Sequence, residues 1–140
     1  MGVDAGSGRC GLARILVVED NALNIKLFCD LLAAHGHEPE AVTDSRLALE
    51  RAKAFQPELI ITDIQLPHVT GLELITQFRA DEALAGVPIM AVTAYAGAGD
   101  EERVREAGAQ AYVSKPISVV RFVEEVTALL EQRAPAKAGA

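Results

Sequence analysis

The 140-residue chain has no tryptophan, few other aromatic residues, two cysteines and fewer basic residues than acidic ones. Its net charge of −7 argues against nucleic acid or an anionic membrane as the main partner, because both would repel the average surface. Cys10 lies in a glycine-rich leader and Cys29 within a predicted helix, an arrangement that does not favour a structural disulfide. We therefore expect reduced thiols and a cytoplasmic protein.

No apolar run reaches the length that crosses a bilayer, and residues 1–12 lack the basic start and continuous apolar centre of a secretory signal. We therefore expect a soluble protein with no membrane partner. Half of the residues are hydrophobic and about a quarter are charged, which is typical of one globular domain. Glycine and proline near the two ends predict a flexible leader at 1–12, a folded unit at 13–133 and a flexible tail at 134–140.

Short apolar runs bounded by turn residues predict strands that are buried on both faces, and apolar residues at helical spacing predict helices between them. The predicted strands lie at 15–18, 38–42, 59–63, 87–92 and 111–113, and the predicted helices at 22–35, 45–55, 71–79, 100–107 and 118–131. This alternation predicts an α/β fold, a doubly wound parallel sheet with helices on both sides. Functional sites on such sheets lie at the carboxyl ends of the strands.

Polar side chains follow four of the predicted strands. The first strand is followed by Glu19 and Asp20, the third ends in Asp63, and Thr93 and Lys115 follow the fourth and fifth. Three converging carboxylates repel one another unless a cation neutralises them, and magnesium prefers oxygen ligands such as Asp20, Asp63 and a loop carbonyl. Lys115 can hold one oxygen of an acyl phosphate, and Thr93 can donate to another.

Several short motifs in chain order carry a resemblance to a known family. They are Val17-Val18-Glu19-Asp20-Asn21, Thr62-Asp63, Leu66-Pro67 with Gly71, Val92-Thr93-Ala94 and Lys115-Pro116. Together they resemble the response-regulator receiver family over residues 14–133. The stretches 18–21, 63–67 and 114–120 are especially similar to DivK-type stand-alone receivers of cell-cycle control. The resemblance implies a flavodoxin-like fold with five strands in the order 2-1-3-4-5.

The resemblance also implies a phosphoacceptor and a metal site. Asp63 would accept a phosphoryl group from a phosphohistidine on a histidine kinase or a histidine phosphotransferase. Magnesium would be the cofactor, with manganese able to replace it, and Asp63 and Asp20 would be direct ligands. Glu19, which replaces the second aspartate of many receivers, would contact the metal through water, and Gln65 would bind it through its carbonyl.

Further roles follow from the same resemblance. Thr93, Ala94 and Lys115 would bind the phosphoryl oxygens, Thr93 and Tyr112 would form a switch pair, and Pro116 would follow a cis peptide bond.

Hydrolysis of the phosphorylated state would be tuned two residues after the acceptor and two after the switch threonine. Gln65 and Tyr95 occupy these positions. Because Tyr95 is bulky and Gln65 carries no charge to guide water, we expect slow hydrolysis.

Two protein-binding surfaces are expected. A kinase or phosphotransferase would dock around Leu23 and Ile117. A downstream protein would bind the face made by the helix at 100–107, the strand around Tyr112 and the helix from Ser118. Because only a short tail follows that helix, we expect the protein to act through separate protein partners. We also expect a monomer or weak dimer.

Two other readings stay open. A phosphatase of the haloacid dehalogenase type also uses a strand-end aspartate, a threonine and a lysine in this order, but it normally has a second aspartate where Gln65 stands here. A receiver that binds partners without being phosphorylated usually lacks the acceptor, the acids or the lysine, all of which are present. We therefore expect a phosphoacceptor that catalyses its own phosphorylation and slow dephosphorylation, and no enzyme in the usual sense.

Overall fold

Five parallel strands form the centre of the fold in a computed structural model that describes residues 13–66, 68–93, 100–114 and 117–139. The strands are β1 (Arg14–Val18), β2 (Glu38–Val42), β3 (Leu59–Asp63), β4 (Ile89–Thr93) and β5 (Ala111–Ser114). Their order across the sheet is β2-β1-β3-β4-β5, and each neighbouring pair is parallel. The predicted α/β fold and strand order are therefore confirmed.

Helices connect the strands. They are α1 (Ala22–Ala34), α2 (Ala48–Phe55), which a single 3-10 turn at Ser45–Leu47 precedes, α3 (Gly71–Ala80), α4 (Asp100–Ala107) and α5 (Val119–Gly139). None of the helices in these described segments is long and apolar enough to span a membrane.

Two helix starts are fixed by side chains. The side chain of Asn21 accepts the backbone N–H groups of Leu23 and Asn24 at the start of α1. Thr70 and Glu73 form a reciprocal capping box at the start of α3, in which each side chain accepts from the other residue's backbone. Each such cap contributes about 1 kcal/mol to helix stability. The helices that follow β1 and β3 therefore begin at defined residues.

Alternating residues of each strand enter two hydrophobic layers, one on each face of the sheet. Ile15 and Val17 belong to the layer that includes Phe28 of α1 and Phe122 of α5. The rings of these two phenylalanines stack with their centroids 5.2 Å apart. Leu16 and other residues of opposite parity belong to the layer covered by α2, α3 and α4. Helices on both faces explain why the strand sequences are apolar throughout rather than alternating.

The last helix is longer than the sequence predicts. It continues beyond the expected end at residue 131 to Gly139. Its final part includes Ala134, Ala136 and Ala138, and alanine is the strongest helix former, whereas the prediction gave more weight to Pro135 and Gly139 as helix breakers. The division of the chain into leader, folded unit and tail stays a prediction, and residues 1–12 lie outside the described part.

Arg79, near the end of α3, connects two loops at the amino-terminal edge of the sheet. Its guanidinium donates to the carbonyls of Ala85 at 3.0 Å and Val87 at 2.7 Å, before β4. It also donates to the Gly108 carbonyl at 3.0 Å and to Gln110 Oε1 at 2.7 Å, before β5. Burial lowers the pKa of Arg79, but a guanidinium stays charged at neutral pH. The Arg79 side chain therefore donates hydrogen bonds to several carbonyls that would otherwise need other donors.

We predict that Arg79→Met lowers the free energy of unfolding by about 2–4 kcal/mol, because partly buried acceptors lose a charged donor. Urea denaturation followed by circular dichroism measures the change. Arg121→Met is the matched control, since Arg121 is exposed and its ion pair with Glu125 is 3.9 Å long, and it should change stability by less than about 1 kcal/mol. Equal losses in the two variants would show that Arg79 does not connect the loops energetically.

Candidate functional site

Three carboxylates meet where β1 and β3 end. These strands are neighbours with Val18 opposite Thr62, so the residues that follow them lie side by side. Glu19 is 1% exposed and Asp63 is 5% exposed, whereas Asp20 faces solvent. One carboxylate oxygen from each of Glu19, Asp20 and Asp63 lies within 4.8 Å of the others. The convergence predicted from the strand ends is therefore present.

The chemistry of this cluster suits a small divalent cation. All three side chains offer oxygen, which magnesium prefers, and they bring enough negative charge to offset its desolvation. Magnesium also keeps several water ligands, and the exposure of Asp20 leaves one side of the cluster open to water. Magnesium therefore fits the donor set.

The carboxylate of Glu19 is oriented by the start of α1. The backbone N–H of Asn21 donates to Glu19 Oε2 at 3.2 Å, and the amide of Asn24 lies 3.5 Å from the same oxygen. The backbone N–H of Glu19 donates to the Val42 carbonyl of β2 at 3.1 Å. No role was predicted for Asn24. Asn21 could have been identified from the sequence as a helix cap, because asparagine is favoured at that position.

Asp63 is held by its own loop. The backbone N–H of Gln65 donates to Asp63 Oδ1 at 3.0 Å and so fixes the plane of the carboxylate. The carbonyl of Gln65, which would be the metal ligand, belongs to the same loop.

Gly71 allows this loop to close tightly. A Cβ atom at Gly71 would lie 2.3 Å from the Asp63 carbonyl oxygen and 2.5 Å from Ile64 Cα, so no other residue fits without moving the backbone. The N–H of Gly71 donates to the Ile64 carbonyl at 2.9 Å and joins the two ends of the loop. The glycine of the sequence motif is therefore needed for a close approach of the backbone directly beside Asp63.

A cavity of about 210 Å³ lies beside the site, between the loop after β3, the end of β4, α4 and β5. Thr93 at the end of β4 is 2% exposed, and Tyr112 in the middle of β5 is half-buried. The cavity is lined by Ile64, Gln65, Leu72, Thr93, Arg103, Val104 and Tyr112. The two predicted switch residues thus line one space, which leaves room for movement. The sequence did not single out Arg103.

Four of the predicted site residues, Ala94, Tyr95, Lys115 and Pro116, lie outside the described residues. Of the predicted partner surface, Leu23 is 79% exposed on α1 and Ile117 is half-buried before α5.

A second connection to the loop after Asp63 was not predicted. Asp44 caps the 3-10 turn before α2, through a 2.9 Å bond from the N–H of Arg46. Ser45 is buried, and its Oγ accepts from the N–H of Val69 in the loop after Asp63 at 3.1 Å. Serine before a helix is typical of a helix cap, so the sequence around Ser45 does not indicate this long-range contact.

Comparison with known protein families gives one match over most of the chain. The sequence model described as "Response regulator receiver domain" matches residues 15–127. The polar-differentiation response regulator DivK of Brucella ovis is 49% identical over 116 residues, which cover 83% of this chain and 94% of that protein. The protein of the same name from Brucella anthropi is 48% identical over the same coverage.

Solved structures share the fold. The chemotaxis protein CheY4 of Vibrio cholerae superimposes with a TM-score of 0.80 at 24% identity and covers 84% of this chain and 98% of its own. At this identity the likeness concerns the fold alone. The receiver domain of the sensor histidine kinase PA1611 from Pseudomonas aeruginosa has a TM-score of 0.79 at 30% identity and covers 86% and 98%. In that structure a magnesium ion is coordinated in the active-site cleft.

We predict that Asp20→Asn weakens magnesium binding by more than about tenfold, because loss of even an outer partner of a metal ligand usually costs that much. Isothermal titration calorimetry on the whole chain measures the dissociation constant. Asp30→Asn is the control, since the Asp30 carboxylate is exposed and pairs with Lys26. If Asp20→Asn binds magnesium as well as Asp30→Asn and the wild type do, the metal does not bind at this cluster.

Proposed function

The chain belongs to the response-regulator receiver family, and on that basis we propose that Asp63 accepts a phosphoryl group from a phosphohistidine in a magnesium-dependent reaction. The donor would be a histidine kinase or a histidine phosphotransferase. The observation that carries this proposal is the buried Asp63 carboxylate, with one oxygen of each of Glu19 and Asp20 close to its own. An isolated buried acid would have no such partners for a shared cation.

The proposed transfer forms a bond between an Asp63 carboxylate oxygen and phosphorus while the bond from phosphorus to the histidine nitrogen breaks. Such transfers depend mainly on alignment and on neutralisation of charge. Magnesium, when bound, would neutralise charge on the carboxylates and on the phosphoryl oxygens. Asp20 and Asp63 would hold it directly, Glu19 through water and Gln65 by its carbonyl. The Gln65 N–H orients Asp63 from the other side.

Thr93 is the described residue that we assign to a phosphoryl oxygen, because it is buried at the end of the neighbouring strand β4. Ala94 and Lys115 would bind the remaining oxygens, with Lys115 positioned by a cis bond before Pro116. Gln65 and Tyr95 would slow hydrolysis. These assignments come from the family motif.

The phosphatase alternative loses its support, because this chain belongs to the receiver family and haloacid dehalogenases form a different family. A receiver that works without phosphorylation remains the competing function, and the intact acceptor and acids argue against it.

The exposed apolar residues beside the site suit a protein donor. Leu23 and Leu27, four residues apart on α1, are 79% and 39% exposed, and Val119 and Val120 at the start of α5 are 47% and 66% exposed. The stacking of Phe28 on Phe122 joins these two helices. We assign this surface, with Ile117, to the kinase or phosphotransferase, because a small phosphodonor needs no apolar contact area.

The output would be a change of surface shape read by a separate protein. Thr93 would move toward the phosphoryl group, and Tyr112 would turn into the cavity beside it. The downstream partner would bind the face formed by α4, β5 and α5. The Brucella relatives, which this chain matches over 94% of their length, are named for polar differentiation. We therefore propose a single-domain regulator of cell polarity and the cell cycle that works in the cytoplasm as a monomer or weak dimer.

We predict that Asp63→Asn abolishes phosphoryl transfer, because an amide cannot form the acyl phosphate. The whole chain is incubated with magnesium and a panel of histidine kinases autophosphorylated with radiolabelled phosphate, and transfer of label is measured. Asp81→Asn, whose carboxylate lies after the end of α3 and pairs with Lys53 at 3.3 Å, away from the proposed kinase surface, should accept label at the wild-type rate. Label on Asp63→Asn would show that the acceptor is another residue.

We also predict that Thr93→Ala separates binding of a phosphoryl group from the response of Tyr112. The chain has two tyrosines, so fluorotyrosine labelling gives two fluorine NMR signals, and Tyr95→Phe assigns them. Beryllofluoride with magnesium mimics the aspartyl phosphate, and it should shift the Tyr112 signal in the wild type but not in Thr93→Ala.

Thr76→Ala serves as the control, since that hydroxyl is exposed and bonds within α3 to the Leu72 carbonyl. It should respond as the wild type does. A full Tyr112 shift in Thr93→Ala would show that this threonine does not couple the two events.

A further inference from the structure

The loop from Ile64 to Thr70 is tied to the sheet at its beginning and closed at its end. The N–H of Ile64 donates to the Val92 carbonyl of β4 at 3.0 Å, and the N–H of Gly71 donates back to the Ile64 carbonyl at 2.9 Å. Gln65 lies next to the first of these contacts and is itself exposed. These two contacts hold the ends of the loop, and contacts from other parts of the fold can hold the path between them.

Ser45 provides a contact of this kind. It is 2% exposed, and its Oγ accepts the N–H of Val69 at 3.1 Å. Ser45 lies in the connection between β2 and α2, and it is 24 residues away from Val69 in sequence. The residue before Val69, His68, has a φ of 69°, a left-handed conformation that is uncommon outside glycine. The loop therefore takes a sharp turn where the hydroxyl meets it.

The turn that carries Ser45 is itself well fixed. The Asp44 carboxylate accepts the N–H of Arg46 at 2.9 Å and pairs with its guanidinium at 2.9 Å. The N–H of Leu47 donates to the Asp44 carbonyl at 3.0 Å. Hydrogen bonding to Arg46 lowers the pKa of Asp44 to about 2, so this cap stays charged at physiological pH. Ser45 can therefore act as a support for the loop.

We propose that Ser45 is a positioning residue for the metal site: its hydroxyl holds the loop at Val69 and thereby keeps the Gln65 carbonyl aimed at the cluster of Glu19, Asp20 and Asp63. This proposal rests on the proposed function, in which that carbonyl is a ligand. Without the hydroxyl, the partly buried N–H of Val69 loses its acceptor, and such a group is costly to leave unpaired. The loop then relaxes toward water, and the carbonyl spends less time in the position that the metal needs.

Two measurements on the whole chain test this role. Hydrogen exchange by NMR, on protein free of metal, reports how well the amides of Val69 and Gln65 are protected. Calorimetric titration with magnesium reports the dissociation constant. Ser45→Ala should speed exchange at both amides and weaken magnesium binding by about tenfold, the range typical for outer partners of metal ligands. Ser45→Thr, which keeps a hydroxyl, should retain more of both properties than Ser45→Ala.

Val126→Ala is the control for general destabilisation, because Val126 is 2% exposed in the hydrophobic layer that contains α1 and α5. It should lower overall stability and leave magnesium affinity unchanged. The proposal is overturned if Val126→Ala weakens magnesium binding as much as Ser45→Ala does. It is also overturned if Ser45→Ala binds magnesium and protects Gln65 as the wild type does.

Magnesium binding by the wild-type chain separates a failure of the proposed function from a failure of the role of Ser45. A wild-type chain that does not bind magnesium would overturn the proposed function and the metal role of Ser45 together. Normal wild-type binding with an unaffected Ser45→Ala would overturn the role of Ser45 alone. Should Ser45→Thr be too large for the buried position, Ser45→Gly gives a second variant without the hydroxyl, and it must then behave as Ser45→Ala does.

Discussion

The repulsion between three carboxylates is the constraint on which the site depends. Glu19, Asp20 and Asp63 bring oxygens within 4.8 Å of one another, and two of these side chains are almost fully buried. Such a cluster is unfavourable without a cation, and the rest of the fold supplies the free energy that keeps it together. Apolar layers on both faces of the sheet, which include Phe28 and Phe78, provide that free energy by burial.

Stability and chemistry lie at opposite edges of the sheet. At the amino-terminal edge, Arg79 satisfies carbonyls of two connections and buries a charge that takes no part in the chemistry. At the carboxyl-terminal edge, polar groups are arranged around Asp63, and a cavity lies beside Thr93 and Tyr112. Functional sites commonly retain such cavities, because the residues around them have to move. Under the proposed function, phosphorylation of Asp63 would change the surface near α4 and leave the distant edge undisturbed.

Local patterns predicted the fold well, because each strand is a short apolar run and each turn carries glycine, proline or a capping residue. Strand ends such as Val18-Glu19-Asp20 and Thr62-Asp63 also predicted which carboxylates would meet, since parallel strands end at one edge. The long-range contacts had no such signal. Ser45 reads as a helix cap, and Arg79 reads as an exposed helix residue. Only the folded chain brings their partners, Val69 and Gly108, into contact with them. The prediction ended α5 before Pro135, whereas the helix continues to Gly139.

Formation of an acyl phosphate on Asp63 can be tested by chemical trapping. The wild-type chain is treated with acetyl phosphate and magnesium and then with borohydride, which reduces an aspartyl phosphate to homoserine, and peptides are sequenced by mass spectrometry. If Asp63 is the phosphoacceptor, homoserine is expected at position 63 and aspartate at position 20, with no conversion when magnesium is removed by a chelator. Homoserine at another acidic residue, or conversion that does not depend on magnesium, would contradict it.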